Sequence, residues 1–231
     1  GVGDRLSGVL LQTFDPNDSL YGSVDYRRPI KGPENSLGIG MSRNDYNIGQ
    51  QFAVLGVDGT TDKAYVNFRR SFTRSRNLNF YGLFEFNRQI AKADYETLET
   101  EDNLSVALFE LGFDSIDTRY SGINQGSIWF SLGLPNFLGS MDEDGDGKSL
   151  RIDGDGNNAG GDFAKLRGRF ARLQAITKNH SLLFRIEGQY SGDVLTSLEQ
   201  MSVGGPNSVR AYPVNEYLYD KALFASAEWI I

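Results

Sequence analysis

The feature that most constrains the fold of this chain is a period-two alternation of apolar and polar residues, repeated along most of its 231 residues. In the segment SLLFRIEGQY, one side of an extended strand would carry Leu182, Phe184, Ile186 and Tyr190. The other side would carry Leu183, Arg185, Glu187 and Gln189. Residues 77–89, 126–134 and 221–229 alternate in the same way. Since side chains of a strand point alternately to its two faces, this period indicates β-strands rather than helices.

Turn-forming segments separate the alternating runs. They are FDPNDS, IKGPENS, DGTTDK, TRSRN, SGINQG, ITKNHS and the acidic, Gly-rich stretch 142–162. Their spacing predicts roughly ten strands of about 8–14 residues, arranged as an antiparallel meander. The chain is therefore expected to be all-β.

Alternation alone does not distinguish a soluble β-sandwich or barrel from a transmembrane barrel. Three features favour the transmembrane barrel: long strands, tight turns that alternate with long loops, and aromatic residues near strand ends. Those aromatic residues are Tyr46, Phe72, Tyr120, Phe137, Tyr190 and Trp229. The sequence contains no continuous apolar run of the length that a transmembrane helix needs. A transmembrane barrel is the leading prediction, and the soluble sandwich remains the alternative.

The composition argues against several other classes of protein. The chain has no cysteine, and its net charge of −7 is not that of a general nucleic-acid binder. The single histidine, His180, lies in a predicted turn, and no serine stands in a G-x-S-x-G pattern. Phosphate-binding and dinucleotide-binding motifs are also missing, so we do not expect an enzyme. The chain opens without a signal peptide and ends inside a predicted strand, which suggests a partial barrel domain over residues 1–231 of a longer protein.

One loop carries residues that its turns do not require. In GGPNSVRAYPVNEY, residues 204–217, the Gly, Pro and Asn residues suit tight turns, but the Val-Arg-Ala-Tyr in the middle does not. The region resembles the sixth extracellular loop of the two-partner secretion transporters, the haemolysin secretion/activation protein family. That family belongs to a superfamily that also contains outer-membrane protein assembly factors. The matching residues are Gly204, Gly205, Ser208, Val209, Arg210, Tyr212, Ser226, Glu228 and Trp229.

The resemblance extends to residues 50–86, which are similar to the early strands of the same transporters. Ala211 departs from the family pattern, which usually has Gly at this point. Because alanine resists positive φ, the loop tip is expected to differ slightly in shape.

The resemblance implies a pore in the bacterial outer membrane, made of 16 strands and preceded by periplasmic domains. Its partners would be a large secreted exoprotein and outer-membrane lipid, and the exoprotein would cross in extended form without nucleotide energy. The sixth loop would fold into the lumen, where Arg210 would meet acidic side chains such as Glu228. Breaking a buried pair of this kind costs about 3–5 kcal/mol. Alternatively, Arg210 is a solvated loop residue that contributes almost nothing to stability.

Two functions compete with secretion. An assembly factor of the same superfamily would insert other barrels into the membrane. A soluble, calcium-stabilised β-sandwich would bind a ligand or partner at the cell surface.

A group of charged residues is predicted to line the lumen of such a barrel. The group consists of Lys165, Arg167, Arg169, Arg185 and Glu187. The cationic members would form a strip facing Glu85 and Glu187. They would either guide a passing unfolded chain by many weak contacts or simply keep the lumen hydrated.

The acidic loop is the only candidate for a metal site, and no other cofactor is expected. Asp142, Asp144 and Asp146 alternate, and Asp153 stands at the twelfth position, as in oxygen-rich calcium loops. The flanking helices of an EF-hand are not predicted here, so any site would be weak and would only stabilise the loop. The competing interpretation is a soluble, self-repelling loop that uses Asp and Gly as turn formers.

Overall fold

A computed structural model describes residues 3–14, 19–47, 58–95, 98–142, 149, 151, 156, 158–205, 208–210 and 217–231. The twelve strands in these residues are β1 (Arg5–Gln12), β2 (Leu20–Pro29), β3 (Asn35–Asn47), β4 (Asp58–Arg74), β5 (Leu78–Tyr95), β6 (Leu98–Asp117), β7 (Gly122–Gly133), β8 (Ala164–Ala175), β9 (Ser181–Ser191), β10 (Met201–Val203), β11 (Tyr217–Tyr219) and β12 (Ala222–Ile230). A single turn of 3-10 helix spans Phe137–Gly139. No helix in the described residues is long and apolar enough to cross a lipid bilayer.

Ten of these strands form one antiparallel sheet in the order β1-β2-β3-β4-β5-β6-β7-β8-β9-β12. Each strand from β1 to β9 pairs with its neighbours in sequence, as in a meander. The exception follows β9, where the chain leaves the sheet and returns thirty residues later as β12. Strands β10 and β11 form a separate hairpin within that excursion. The predicted all-β meander is therefore confirmed.

Burial in this sheet is the reverse of that in a soluble protein. Five partnered residues on adjacent strands, each between 39% and 51% exposed, form one apolar row: Phe68, Phe84, Phe109, Phe130 and Leu166. The opposite face carries buried polar residues, among them Asn67, Asn87, Ser131, Gln189 and Ser191.

This reversal identifies the surroundings of the sheet. Leaving a large apolar side chain in water rather than burying it costs about 1.5–3 kcal/mol, and the apolar face has many of them. The face therefore needs an apolar environment such as lipid, and the soluble sandwich is wrong.

Two segments that the sequence predicts to be turns belong mainly to strands. DGTTDK belongs to β4, and the turn near SGINQG spans residues 118–121 because β7 begins at Gly122. Strands β4, β5 and β6 contain 17, 18 and 20 residues, more than the predicted length. A membrane crossing uses only about 9–11 residues, so these strands extend beyond the apolar rows. The parts of the strands beyond the apolar rows are polar in composition, so in the sequence they have the composition of turns.

Candidate functional site

The predicted lumen residues share the polar face of the sheet. On β8, Lys165, Arg167 and Arg169 are opposite Ser191, Gln189 and Glu187 of β9. Arg185 lies on the same face of β9. The structure thus brings all five predicted residues to one surface, together with Glu228 of β12.

Two of these cations surround an aromatic side chain. The guanidinium carbons of Arg167 and Arg169 lie 5.9 and 5.5 Å from the ring centre of Trp129. Arg167 also forms an ion pair with Glu187. Glu85, in contrast, pairs with Lys63 at 3.4 Å, because Lys63 lies on the neighbouring β4. The strip therefore lies directly beside Glu187, whereas Glu85 lies three strands away and has its own cationic partner.

The segment after β9 covers part of the polar face, and Glu199 is its centre. The Glu199 Oε2 atom lies 2.5 Å from Lys165 Nζ, and Oε1 accepts a hydrogen bond of 2.8 Å from Gln89 Nε2. The Glu199 backbone oxygen accepts bonds from Lys165 Nζ and Gln189 Nε2, at 2.8 and 3.1 Å. Lys165 is therefore a buried, paired residue of the polar face, covered by the segment after β9.

These contacts show that the sheet curves around its polar face. Strand β8, which carries Lys165, is three strands away from β5. The pairing register links Lys165 to Glu85 of β5 through Ser131 and Leu108. Gln89 lies four residues further along β5. In a flat sheet that offset would place Lys165 and Gln89 about 20 Å apart, from strand spacings of about 4.8 Å and rises of about 3.4 Å. Both side chains nevertheless reach one carboxylate. The polar face is accordingly the concave face.

A small apolar cluster closes the covered region on the side of the long loops. It contains Leu104, Val106, Met141, Phe163 and Leu195, with Leu198 packed against it. Leu104 and Val106 come from the polar face of β6, and the other members come from the two long loop segments. Both loops therefore pack onto the same end of the concave face.

Close backbone approaches fix this packing. A Cβ on Gly161 would lie 2.1 Å from the backbone oxygen of Met141, and one on Gly133 would lie 2.2 Å from that of Gly161. A side chain at Gly133 would force the loop away from β7, and one at Gly161 would force two parts of the loop apart.

A second ion pair joins the two long loops. The Arg151 guanidinium donates two hydrogen bonds to the Asp220 carboxylate, from Nη1 at 2.8 Å and Nη2 at 2.6 Å. The Leu195 backbone N–H and Gln200 Nε2 also donate to Asp220 Oδ1, both at 3.2 Å. Asp220 thus connects the segment after β9 to the loop before β8.

Arg210 and Glu228, the two charged residues of the loop motif, are in contact. Arg210 Nη2 lies 2.8 Å from Glu228 Oε2, and Arg185 Nη1 lies 3.6 Å from Glu228 Oε1. The Arg210 side chain is 65% exposed and that of Glu228 is 29% exposed. The pair is thus open to solvent in the described part of the chain, so the cost expected for a shielded pair does not apply here.

The rest of the loop motif is described only in part. Gly204 and Gly205 have φ of 126° and 88°, which glycine adopts without the strain of a side chain. Ser208 Oγ accepts a bond from the Gly204 N–H and donates to its carbonyl oxygen. Val209 is half-buried, and Tyr212 lies outside the described residues.

The predicted calcium ligands cannot be placed as a set. Asp144, Asp146 and Asp153 lie outside the described residues, and only Asp142 is inside. Among the residues that are described, no group of three or more His, Cys, Asp or Glu side chains is placed to hold a metal.

Sequence reasoning missed the residues that hold the segment after β9. Glu199, Gln89 and Asp220 belong to no motif, and Glu199 lies outside the alternating strands. The one feature of the sequence that could have indicated them is the charge of Lys165 on the polar face, because a lysine that becomes buried requires a carboxylate partner.

An antiparallel meander that exposes its apolar side chains and curves around its polar ones defines a transmembrane β-barrel of the outer-membrane type. Within that class, residues 1–224 match the family described as haemolysin secretion/activation protein ShlB/FhaC/HecB, and the chain belongs to this family. Members of the family are outer-membrane transporters of Gram-negative bacteria rather than enzymes.

Individual relatives agree with this assignment. The chain is 21% identical over 229 residues to the heme/hemopexin transporter protein HuxB of Haemophilus influenzae (strain 86-028NP), covering 99% of the chain and 39% of that protein. The solved structure of CdiB from Escherichia coli matches 99% of the chain and 42% of that structure, with a TM-score of 0.76 at 17% identity. CdiB from Acinetobacter baumannii matches 98% of the chain and 40% of that structure, with a TM-score of 0.68 at 15% identity. The chain therefore spans about two fifths of the length of these relatives.

Proposed function

We propose that this chain is the central part of an outer-membrane pore that translocates a large exoprotein in two-partner secretion. The family supports this function, because its members export a secreted partner. The observation that carries the proposal is a concave polar face that a segment of the same chain partly covers. A polar, curved surface can conduct an extended polypeptide, and the covering segment can close it when nothing is being exported.

The closing element in this proposal is the excursion between β9 and β12. It would continue along the concave face through residues 204–217, so that the loop motif lies inside the pore. Arg210 would then secure the loop to Glu228, and the buried pair of Lys165 and Glu199 would secure its beginning. The proximity of Arg210 to Glu228, at 2.8 Å, is consistent with this anchoring.

The charged strip would serve the passing chain. Arg167, Arg169 and Glu187 lie beside Trp129 on the concave face. Charged and aromatic groups side by side offer many weak contacts to an extended polypeptide and no single deep binding site. A chain could therefore move past them without being trapped.

The assembly-factor alternative is less well supported. The family that residues 1–224 match is that of the secretion proteins. Nothing in the described residues favours barrel insertion over export.

Ion conductance of the full-length protein in planar bilayers tests the proposal. Glu199→Gln keeps the shape of the side chain and removes the charge that holds Lys165, so we expect the resting conductance to rise several-fold. Glu101→Gln is the matched control, since Glu101 pairs with Lys92, whose side chain is mostly exposed. A resting conductance that is equal in the two variants and the wild type would contradict the proposed closure.

Secretion of the partner exoprotein tests the proposed role of Arg210 and Glu228 in anchoring the loop. We expect Arg210→Ala and Glu228→Ala to reduce secretion while the barrel still inserts in the outer membrane. Unchanged secretion in both variants would remove the loop motif from the mechanism.

A further inference from the structure

The short turns of the barrel lie together at one end. They connect β2 to β3 (30–34), β4 to β5 (75–77), β6 to β7 (118–121) and β8 to β9 (176–180). Since successive strands of a meander run in opposite directions, every second connection lies at the same end of the sheet. The long loops lie at the other end.

This end carries exposed basic residues without acidic partners. They are Arg28, Lys31, Arg70, Arg74, Arg76, Arg119 and Lys178. None of them forms an ion pair in the part of the chain that the structure describes. We call this set the basic rim.

Acidic side chains at the same end have partners of their own. Asp117 pairs with Arg172 at 2.9 Å, and Asp114 accepts a hydrogen bond of 2.8 Å from Asn79. Asp4 accepts from the Tyr26 hydroxyl at 2.8 Å, Glu34 from Asn35 Nδ2 at 3.3 Å, and Glu228 pairs with Arg210. Arg172 and Arg210 neutralise Asp117 and Glu228. The other three carboxylates have neutral donors and keep their charge, but the seven cations of the basic rim outnumber them, so the rim stays net positive and can attract an external anion.

Two exposed aromatic residues mark the level of the membrane interface at this end. Tyr120 and Trp229 are 59% and 56% exposed, and the Arg119 guanidinium lies 5.1 Å from the ring centre of Tyr120. Exposed Tyr and Trp residues at the edge of an apolar surface are typical of the headgroup region of a bilayer. The basic rim is therefore at or just beyond the depth of lipid phosphates.

An open groove on the apolar face extends from Phe80, Phe113 and Gly126, near this end, to the middle of the strands. Its volume is about 560 Å³, and its lining includes Leu111, Ile128, Gly168, Ile186, Gly188 and Leu223. A Cβ on Gly168 would meet no atom within 4 Å, so the floor of the groove is wide. The groove offers an acyl chain an apolar seat beneath a headgroup held at the rim.

We propose that the basic rim is a binding surface for anionic phospholipids in the leaflet on the short-turn side. Each exposed cation near a charged bilayer surface attracts anionic headgroups, and several act together. The opposite end of the barrel is different, since Arg43, Lys92 and other cations there pair with carboxylates. This proposal depends on the barrel and its membrane location, not on what the pore exports.

Native mass spectrometry of the full-length protein can measure this preference. The protein is released from neutral detergent micelles that contain equal amounts of phosphatidylglycerol and phosphatidylcholine, and the bound lipids are counted. We expect wild-type protein to retain phosphatidylglycerol over phosphatidylcholine by at least about tenfold, since each near-surface cation contributes on the order of a fivefold preference. In the triple variant Arg74→Gln, Arg76→Gln, Lys178→Gln, which keeps the other rim cations, the ratio should fall by at least about fivefold.

Two further variants separate charge from folding. The control Arg43→Gln, Lys92→Gln, Lys221→Gln removes three cations from the other end and should keep the wild-type ratio. Arg74→Lys with Arg76→Lys retains the charge and should also keep it.

Equal lipid ratios in the wild type and the basic-rim variant would overturn the proposal. A control variant whose ratio falls as far as that of the basic-rim variant would also overturn it. A wild type without lipid preference, whose basic-rim variant still fails to secrete its partner, would likewise contradict lipid binding. That result would assign the rim to an acidic protein surface.

Discussion

Lys165 and Glu199 form the most deeply buried ion pair in the part of the chain that the structure describes, with 2.5 Å between Nζ and Oε2 and side chains 10% and 8% exposed. One partner belongs to strand β8 and the other to a segment outside the main sheet. Each charge has lost most of its water, so each depends on the other. The pair therefore holds the segment after β9 on the polar face.

Breaking this pair should loosen the segment. We expect Glu199→Ala to lower the free energy of opening of residues 192–201 by about 3–5 kcal/mol, because Lys165 is left buried without a partner. The double variant Lys165→Met, Glu199→Leu should recover most of that loss, since it removes both charges. Hydrogen exchange of the full-length protein in detergent measures the opening.

Lys92→Ala provides the comparison, because Lys92 forms an exposed pair with Glu101. It should change stability by less than about 1 kcal/mol. If Glu199→Ala has no larger effect than Lys92→Ala, the buried pair does not hold the segment.

Arg210→Ala should separate stability from function. The exposed pair with Glu228 contributes less than about 1 kcal/mol, so thermal unfolding in detergent should change little. Secretion of the partner should nevertheless decrease, because the loop loses its proposed anchor. Arg185→Ala, which removes the more distant partner of Glu228, is the matched variant and should affect secretion less. If secretion decreases equally in both variants, the loss of either cation beside Glu228 is sufficient, and Arg210 has no special role as an anchor.

Gly161→Ala should disturb the packing of the long loop before β8. The new Cβ would lie 2.1 Å from the Met141 backbone oxygen, so the backbone must move. Overpacking of this kind costs about 1–3 kcal/mol. Gly168→Ala adds the same methyl group where nothing lies within 4 Å and should be nearly neutral. Limited proteolysis within residues 142–162 measures the difference, and equal cleavage of the two variants would show that the loop is not packed there.

Calcium should bind weakly to the acidic loop if the alternating carboxylates act as ligands. Isothermal titration of the purified barrel is expected to give heat at calcium concentrations on the order of 0.1–1 mM, as in extracellular modules. Asp144→Asn with Asp146→Asn should abolish the heat. A titration of the wild type that is silent even at millimolar calcium would leave the loop as a soluble turn.

Much of the fold could be predicted from the alternation. The period of two assigned Leu182, Phe184 and Ile186 to one face and Arg185 and Glu187 to the other, and the register of β8, β9 and β12 agrees. A pattern of this kind follows from local geometry, so a single sequence carries it. The soluble or membrane environment was harder to predict, because both give the same alternation and only burial distinguishes them.

The contacts of the candidate site were less predictable. Glu199 meets Lys165 across 34 residues, and Gln89 across 110 residues. Neither contact follows from spacing, since both depend on the curvature of the sheet and on the path of a segment outside it. Arg210 and Glu228 were identified through a family resemblance, and only the structure shows that the pair is exposed.

In the proposed pore, apolar side chains of the sheet face lipid and polar side chains face the interior. Spin labels on Phe109→Cys and Glu110→Cys test it directly in the full-length protein in lipid bilayers, because these neighbours on β6 point to opposite faces. We predict that the label at position 109 is relaxed strongly by oxygen, which partitions into lipid, and weakly by a water-soluble nickel chelate. The label at position 110 should show the opposite preference, and the same oxygen preference at both positions would contradict the account.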